Sequence, residues 1–264
     1  PARAALARAA VAAVALLLAA CGGATPSTSA EVSGSSPLPT VSGPVTVFAA
    51  ASLTEAFEQI ADDFEAEHPG TTVVLNFAAS SALAQQIVAG APADVFAAAS
   101  PATMEIVTAA GDATGPRVFA RNRLQIAVPA GNPGGVTGLR DLADPDLTIA
   151  LCAPAVPCGA ASRTALDAAG VSAAPDTLEQ DVKAALAKVR LGEVDAALVY
   201  RTDVLSAGDE VEGIAFPEAE SAVNAYPVVA LSSAPNEAAA QAFVAQVLSP
   251  DGQQVLADAG FDRP

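Results

Sequence analysis

Short apolar strands that run straight into a small turn, often bearing serine, and then into an amphipathic helix recur along this chain, and that unit limits what it can fold into. Residues 45–51 read as a buried strand, and Ser52-Leu53-Thr54-Glu55 behind them has the form of a capping box. Leu53, Phe57, Ile60 and Phe64 then repeat at helical spacing and make one apolar stripe. A second unit has a strand at 73–77, the turn Ala78-Ala79-Ser80-Ser81, and a helix with Leu83 and Ile87 that Gly90 stops. Further strands are read at 94–98, 124–128, 147–151, 196–200 and 228–231. Helices are read at about 101–110, 160–169, 237–248 and 252–259, with another that Asp181 caps and Gly192 stops. The Gly131-Asn132-Pro133-Gly134-Gly135 loop marks a change of region. Alternation of this kind predicts an α/β fold of parallel sheets with helices on their faces.

The first residues have a different character. Arg3 and Arg8 are the only charges before an alanine-rich apolar run at 9–20, which is too short to span a bilayer and ends in Leu18-Ala19-Ala20-Cys21-Gly22. Charge, apolar run, small residues and cysteine come in the order of a secretory signal that closes on a lipobox, so residues 1–20 are expected to be removed and Cys21 to carry a diacylglycerol. Residues 21–44 are rich in Ser, Thr, Pro and Gly and are expected to form a disordered tether. The remaining stretch of roughly 220 residues suits one large α/β domain or two small lobes.

The formal charge is −17, and it is two units more negative once Arg3 and Arg8 are gone. Such a field repels nucleic acid and anionic lipid. An anion site in this chain must therefore work through local dipoles at short range, because bulk charge is screened beyond about 8 Å. Cys152 and Cys158 lie close together in a chain expected to meet oxidising conditions, and a disulfide is the expected state, worth about 2–3 kcal/mol for so short a loop. Their spacing is not that of a thioredoxin-like pair, and a chain with one histidine lacks ligands for a Cys/His zinc site.

Catalytic signatures are missing: no serine stands in a G-x-S-x-G elbow, and neither a Walker loop nor a dinucleotide fingerprint occurs. His68 sits in what reads as a surface turn, and Asp62-Asp63 lie on the polar side of the first helix. In open sheets ligands bind beyond the carboxyl ends of strands, where helix starts gather. Those turns carry Ser52, Ser80 with Ser81, Cys158 with Gly159, and Asp181 with Val182, and none offers a cation. Free backbone N–H groups and aligned peptide dipoles at helix starts attract anions. Taken singly, each serine reads first as an ordinary N-cap; several such turns in one fold shift the reading toward a site.

Val47-Phe48-Ala49-Ala50-Ala51-Ser52-Leu53-Thr54, Phe77-Ala78-Ala79-Ser80-Ser81, Gly90-Ala91-Pro92-Ala93-Asp94-Val95-Phe96, Val156-Pro157-Cys158-Gly159, Asp181-Val182-Lys183 and Leu198-Val199-Tyr200 occur in the order seen in periplasmic molybdate-binding proteins. The chain resembles that family from about Val45 to Phe261. The resemblance implies a type II periplasmic-binding-protein fold, with lobe 1 at 45–122 and 225–264, lobe 2 at 123–224, and a ligand cleft between them. It implies as ligand-binding groups the hydroxyls and amides of Ser52 and Ser80, the amides of Cys158 and Val182, and the hydroxyl of Tyr200. Family members often carry alanine at the position of Cys158, where the contact is a backbone amide. The resemblance further implies that molybdate or tungstate is the bound species, that no cofactor or separate metal site is needed, and that the partners are the permease and ATPase of an ABC importer. A monomer is expected. Sulfate is the competing ligand, and an enzyme on the same fold is the alternative class; it would need a general base or nucleophile in the cleft, and the sequence supplies no signature of one.

If Cys21 carries lipid, labelled palmitate enters the wild-type chain in cells and not Cys21→Ser. Equal labelling of the two removes the lipobox reading.

Overall fold

The computed structural model describes residues 41–264. The expected signal at 1–20, Cys21 and most of the expected tether lie outside the described residues. The first strand, β1 (Gly43–Ala50), begins two residues before the expected start.

Strand β1 enters a tight 3-10 turn at Ala51–Leu53 and then α1 (Thr54–Glu67). The chain continues through β2 (Thr71–Ala78), α2 (Ser80–Val88), β3 (Val95–Ala97), α3 (Pro101–Ala110), β4 (Arg117–Asn122) and β5 (Leu124–Pro129). After these come β6 (Ile149–Cys152), α4 (Pro157–Ala169), β7 (Thr177–Glu179), α5 (Val182–Arg190), β8 (Ala196–Tyr200), α6 (Arg201–Ser206) and β9 (Val211–Ile214). The chain closes with β10 (Asn224–Ala230), α7 (Glu237–Leu248) and α8 (Pro250–Asp258).

The strands form two five-stranded sheets, ordered β2-β1-β3-β10-β4 and β7-β6-β8-β5-β9. The chain passes from the first sheet to the second at Arg123, the residue between β4 and β5, and returns through Val223, just before β10. Each sheet with its helices is one α/β lobe.

The sheets are mixed, which corrects the expectation of parallel ones. In the first, β1 runs parallel to β2 and β3, while β10 is antiparallel to β3 and β4. In the second, β6 runs parallel to β7 and β8, while β5 is antiparallel to β8 and β9. The antiparallel strands β10 and β5 are those that enter from the other lobe, not by a helical crossover within their own sheet.

Strands β4, β7 and β9 were not expected from the sequence. All three are sheet edges, and β7 and β9 are three and four residues long, too short for a period-two pattern to stand out. Strand β10 begins four residues before the expected 228, because Pro227 reads as a breaker. The sheet absorbs it with a register shift between Tyr226 and Pro227.

An aromatic cluster packs the first lobe. The Phe243 ring lies 5.3 Å from Phe64 and 6.0 Å from Phe57, and Phe57 lies 5.8 Å from Phe119. His68, at the end of α1, packs its ring at a tilt against Phe64, with centroids 4.5 Å apart. The second lobe is packed by aliphatic side chains instead, with Ile126, Val128, Leu198 and Val189 fully buried. Among the described residues no helix is long and apolar enough to cross a membrane.

Truncation of Phe243 removes the ring on which two others rest. Phe243→Ala is expected to lower the unfolding free energy by about 3–5 kcal/mol in urea titrations, and a loss below 1 kcal/mol contradicts this account of the core.

Candidate functional site

A cavity of about 20 Å³ lies on the seam between the lobes. From the first lobe it is lined by Ala50, Ala51, Ser52, Ala79, Ser80 and Ala99, and from the second by Val156, Pro157, Cys158, Asp181, Val182 and Tyr200. All five residues singled out from the sequence for ligand binding, Ser52, Ser80, Cys158, Val182 and Tyr200, line this one space. Pockets for drug-sized ligands run to roughly 300–1,000 Å³, so this cavity admits only a small occupant.

The lining is made of element ends. Ser52 lies in the 3-10 turn, Ser80 is the first residue of α2, Cys158 and Val182 are within the first turns of α4 and α5, and Tyr200 ends β8. The 3-10 turn, α2 and α4 all start without a side-chain cap, on Ala50, Ala79 and Val156. Alanine and valine cannot bond the first N–H groups of a helix, so those groups remain available to whatever fills the cavity. At α5 the Asp181 carboxylate does cap, accepting from the Ala184 amide at 2.9 Å, as its position ahead of Val182 suggested. None of the lining residues is Lys, Arg or His.

The hydroxyls are held from behind. The Ser80 hydroxyl accepts from the Ala99 amide at 2.9 Å, and that of Tyr200 accepts from the Asn224 side-chain amide at 2.9 Å. Ser52 shares a hydrogen bond of 2.9 Å with the Tyr226 hydroxyl. This corrects the capping-box reading of Ser52: the tight turn places it ahead of α1, whose N-cap is Leu53, and its hydroxyl bonds a tyrosine 174 residues away. Tyr200 is fully buried, and burial, with Tyr226 and Asp203 nearby, raises its phenol well above the ordinary value, so it remains a neutral donor.

Cys152 and Cys158 are joined, with their sulfurs 2.13 Å apart. The bridge ties the end of β6 to the first turn of α4, the turn whose Cys158 lines the cavity. The fit there is close: a side chain added at Gly159 would put its first carbon 1.9 Å from the Ala153 carbonyl oxygen. The buried Ser162 hydroxyl donates to the Cys158 carbonyl at 2.8 Å. Asp94, within the Gly90–Phe96 segment, is absent from the lining. Its carboxylate accepts from the Thr46 and Asn236 amides at 2.7 and 2.6 Å and so ties β1 to the start of α7.

Several polar residues around the cavity were given no role from the sequence. Lys183 bonds Glu55 across the seam at 2.6 Å and the Ser206 hydroxyl at 3.1 Å. It also lies 3.5 Å from the fully buried Asp203, whose second oxygen accepts from the Tyr200 amide at 3.0 Å. Burial raises the Asp203 carboxyl to about 6, against the opposing pull of Lys183 and the Tyr200 amide. At the hinge, the Asn122 side chain donates to Thr202 at 2.8 Å, and Asp262 pairs with both Arg123 and Arg201. Burial works to raise the Asp262 carboxyl, and the hydrogen bonds and charges of Arg201 and Arg123 hold it below its ordinary value.

Two α/β lobes joined by two crossings, with a small cavity of helix starts at their seam, make up a binding protein of the type II periplasmic class. The chain matches the bacterial extracellular solute-binding proteins over residues 45–262. It is 43% identical over 221 residues to the molybdate-binding protein ModA of Mycobacterium bovis, covering 83% of this chain and 85% of that one. Among solved structures it is similar to the substrate-binding domain of a putative molybdenum ABC transporter from Clostridium difficile, with 26% identity, a TM-score of 0.62, and coverage of 84% and 100%. The Azotobacter vinelandii periplasmic molybdate-binding protein has the same fold, with a TM-score of 0.74 at 23% identity and coverage of 83% and 99%. The chain therefore belongs to the bacterial extracellular solute-binding protein family, on the branch that carries the molybdate-binding proteins. These relatives are binding proteins, not enzymes.

The raised Asp203 carboxyl links stability to pH. Between its ordinary value of 3.8 and about 6 the folded state holds a proton that the unfolded state has released. Asp203 therefore favours folding at low pH, and that contribution is lost as pH rises through about 6. Urea titrations of wild type and Asp203→Asn should show their difference move against the wild type by about 1–3 kcal/mol from pH 4 to pH 7; a pH-independent difference contradicts it.

Proposed function

We propose that this protein captures molybdate, with tungstate as a near-equivalent ligand, in the seam cavity and delivers it to an ABC importer. Its ligand-binding residues are Ser52 and Ser80, through hydroxyl and amide, Cys158 and Val182, through their amides, and Tyr200, through its hydroxyl. The observation that carries this reading is a cavity lined by uncapped helix starts and hydroxyls from both lobes, with no cationic side chain. Its relatives carry the molybdate-binding name, and one solved neighbour is described as part of a molybdenum ABC transporter.

Molybdate near neutral pH is a fully deprotonated dianion and presents only acceptors, so a site made of donors satisfies it. The donors are N–H and O–H groups whose dipoles act at contact distance, where the net charge of −17 is of little consequence. Hydrogen bonds to a charged group contribute roughly 1.5–3 kcal/mol each. A set of this size exceeds the cost of association and supports submicromolar affinity. An anion that touches both lobes stabilises the closed form by its differential affinity, and the closed shape reports occupancy to the permease. Export and a lipid on Cys21, behind the 21–44 tether, would hold the loaded protein at the outer face of the membrane near its importer.

Calorimetry with molybdate, tungstate and sulfate tests this. Ser52→Ala and Ser80→Ala should each weaken molybdate binding by about 1–3 kcal/mol, and Tyr200→Phe by less if water replaces the hydroxyl. Unchanged affinity in both serine variants means the site lies elsewhere, and a preference for sulfate replaces molybdate as the ligand.

A further inference from the structure

Behind the cavity, at the first residue of β10 after the return crossing, stands Asn224, which is 9% exposed and absent from the cavity lining. Its side-chain nitrogen donates to the Ala99 carbonyl at 2.6 Å and to the Tyr200 hydroxyl oxygen at 2.9 Å. The Ala99 carbonyl sets which way the amide faces, because a carbonyl only accepts; turning the amide over would press two acceptors together. With nitrogen on that side, the bond to Tyr200 has one possible direction. An amide N–H cannot accept, so the Tyr200 oxygen is the acceptor and its own hydrogen must go elsewhere. The neighbouring Tyr226 hydroxyl also bears on Tyr200, but its own 2.9 Å bond is to Ser52; the other space open to the Tyr200 hydrogen is the cavity that Tyr200 lines.

Ala99 does the same on the opposite side. Its N–H donates to the Ser80 hydroxyl oxygen at 2.9 Å, which leaves the Ser80 hydrogen free for the cavity. One hydroxyl from each lobe is thus committed as a donor by groups that meet at Ala99.

We infer that Asn224 is a positioning residue that determines specificity: it fixes the Tyr200 hydroxyl as a donor into the cavity and so excludes oxoanions that retain a proton. This rests on the oxoanion reading above. A fully ionised dianion receives the Tyr200 hydrogen. A protonated one, such as hydrogen phosphate or hydrogen arsenate, brings a donor of its own and meets another donor at Tyr200. Asp181 is the single carboxylate in the lining, and it is turned to the start of α5, where it caps the Ala184 amide. Replacing Asn224 by an apolar side chain frees the Tyr200 oxygen to accept, and the hydroxyl can then turn to suit either class of anion.

The test is calorimetry with sodium molybdate and with inorganic phosphate at neutral pH, where phosphate retains a proton, on wild type, Asn224→Leu, Tyr200→Phe and the double variant. The wild type should favour molybdate strongly. Asn224→Leu should lower the molybdate-to-phosphate ratio by roughly ten-fold or more, Tyr200→Phe should lower it too, and the double variant should show no further fall. Thermal melts establish that each variant is folded; if Asn224→Leu is not, Asn224→Asp, which presents an acceptor to Tyr200 in place of a donor, is expected to lower the ratio in its stead. A wild-type ratio in the Asn224 variant, or an equal fall when Tyr200 is already phenylalanine, overturns the inference and leaves the site assignment standing. A wild type that binds phosphate as well as molybdate also overturns it and points to Asp181 as an acceptor. A wild type that binds no molybdate overturns the functional reading itself.

Discussion

Two passages of the chain, at Arg123 and Val223, are the only covalent links between the two sheets among the described residues, so everything else the lobes share passes through side chains at the seam. The seam is buried, and buried polar groups must find partners there. Asn122 finds Thr202, Ser52 finds Tyr226, and Asn224 joins Ala99 of the first lobe to Tyr200 of the second. Toward solvent, Asp262 near the end of the chain gathers Arg123 and Arg201. Partners drawn from distant stretches of sequence at so narrow a junction tie the two lobes together and give the Ser80 and Tyr200 hydroxyls one direction each.

The same constraint explains how a strongly acidic chain can form an anion site. The charge of Lys183, beside Val182, is taken up by Glu55 and Asp203 and does not reach the cavity lining. What remains is peptide dipoles, and these are strong because three of the element starts around the cavity lack a capping side chain. Alanine or valine at a cap position is unfavourable for an isolated helix, by about 1 kcal/mol relative to Ser or Asp. Here that local cost is the source of the free donors. The second lobe adds rigidity through Cys152–Cys158 and through Gly159, where any side chain would overlap the Ala153 carbonyl. The α4 start is thereby held against the end of β6, and the Cys158 amide is held with it.

Much of this was legible in the residues. The strand-turn-helix units at Ser52, Ser80 and Cys158, and the helix start at Val182, stand where alternation of apolar and small residues puts them, because a helix start depends on a few adjacent residues. The helices read at about 101–110 and 237–248 stand there for the same reason. Asn224, Tyr226, Ala99 and Asp203 were not read. A single polar residue in an apolar stretch looks the same whether it faces solvent or a buried partner, and Pro227 disguised the strand that carries two of them.

What the sequence by itself determined, then, is where the backbone turns and which N–H groups are left free, since both follow from contacts within one turn of chain. The tertiary structure decided where the hydroxyls point. Ser52 read as a helix cap and instead meets Tyr226, 174 residues away, and Tyr200 takes its direction from Asn224, 24 residues on and across the return crossing. A hydroxyl rotates freely about its bond and has no preferred direction of its own; only a neighbour that long-range packing brings within hydrogen-bond distance can choose one.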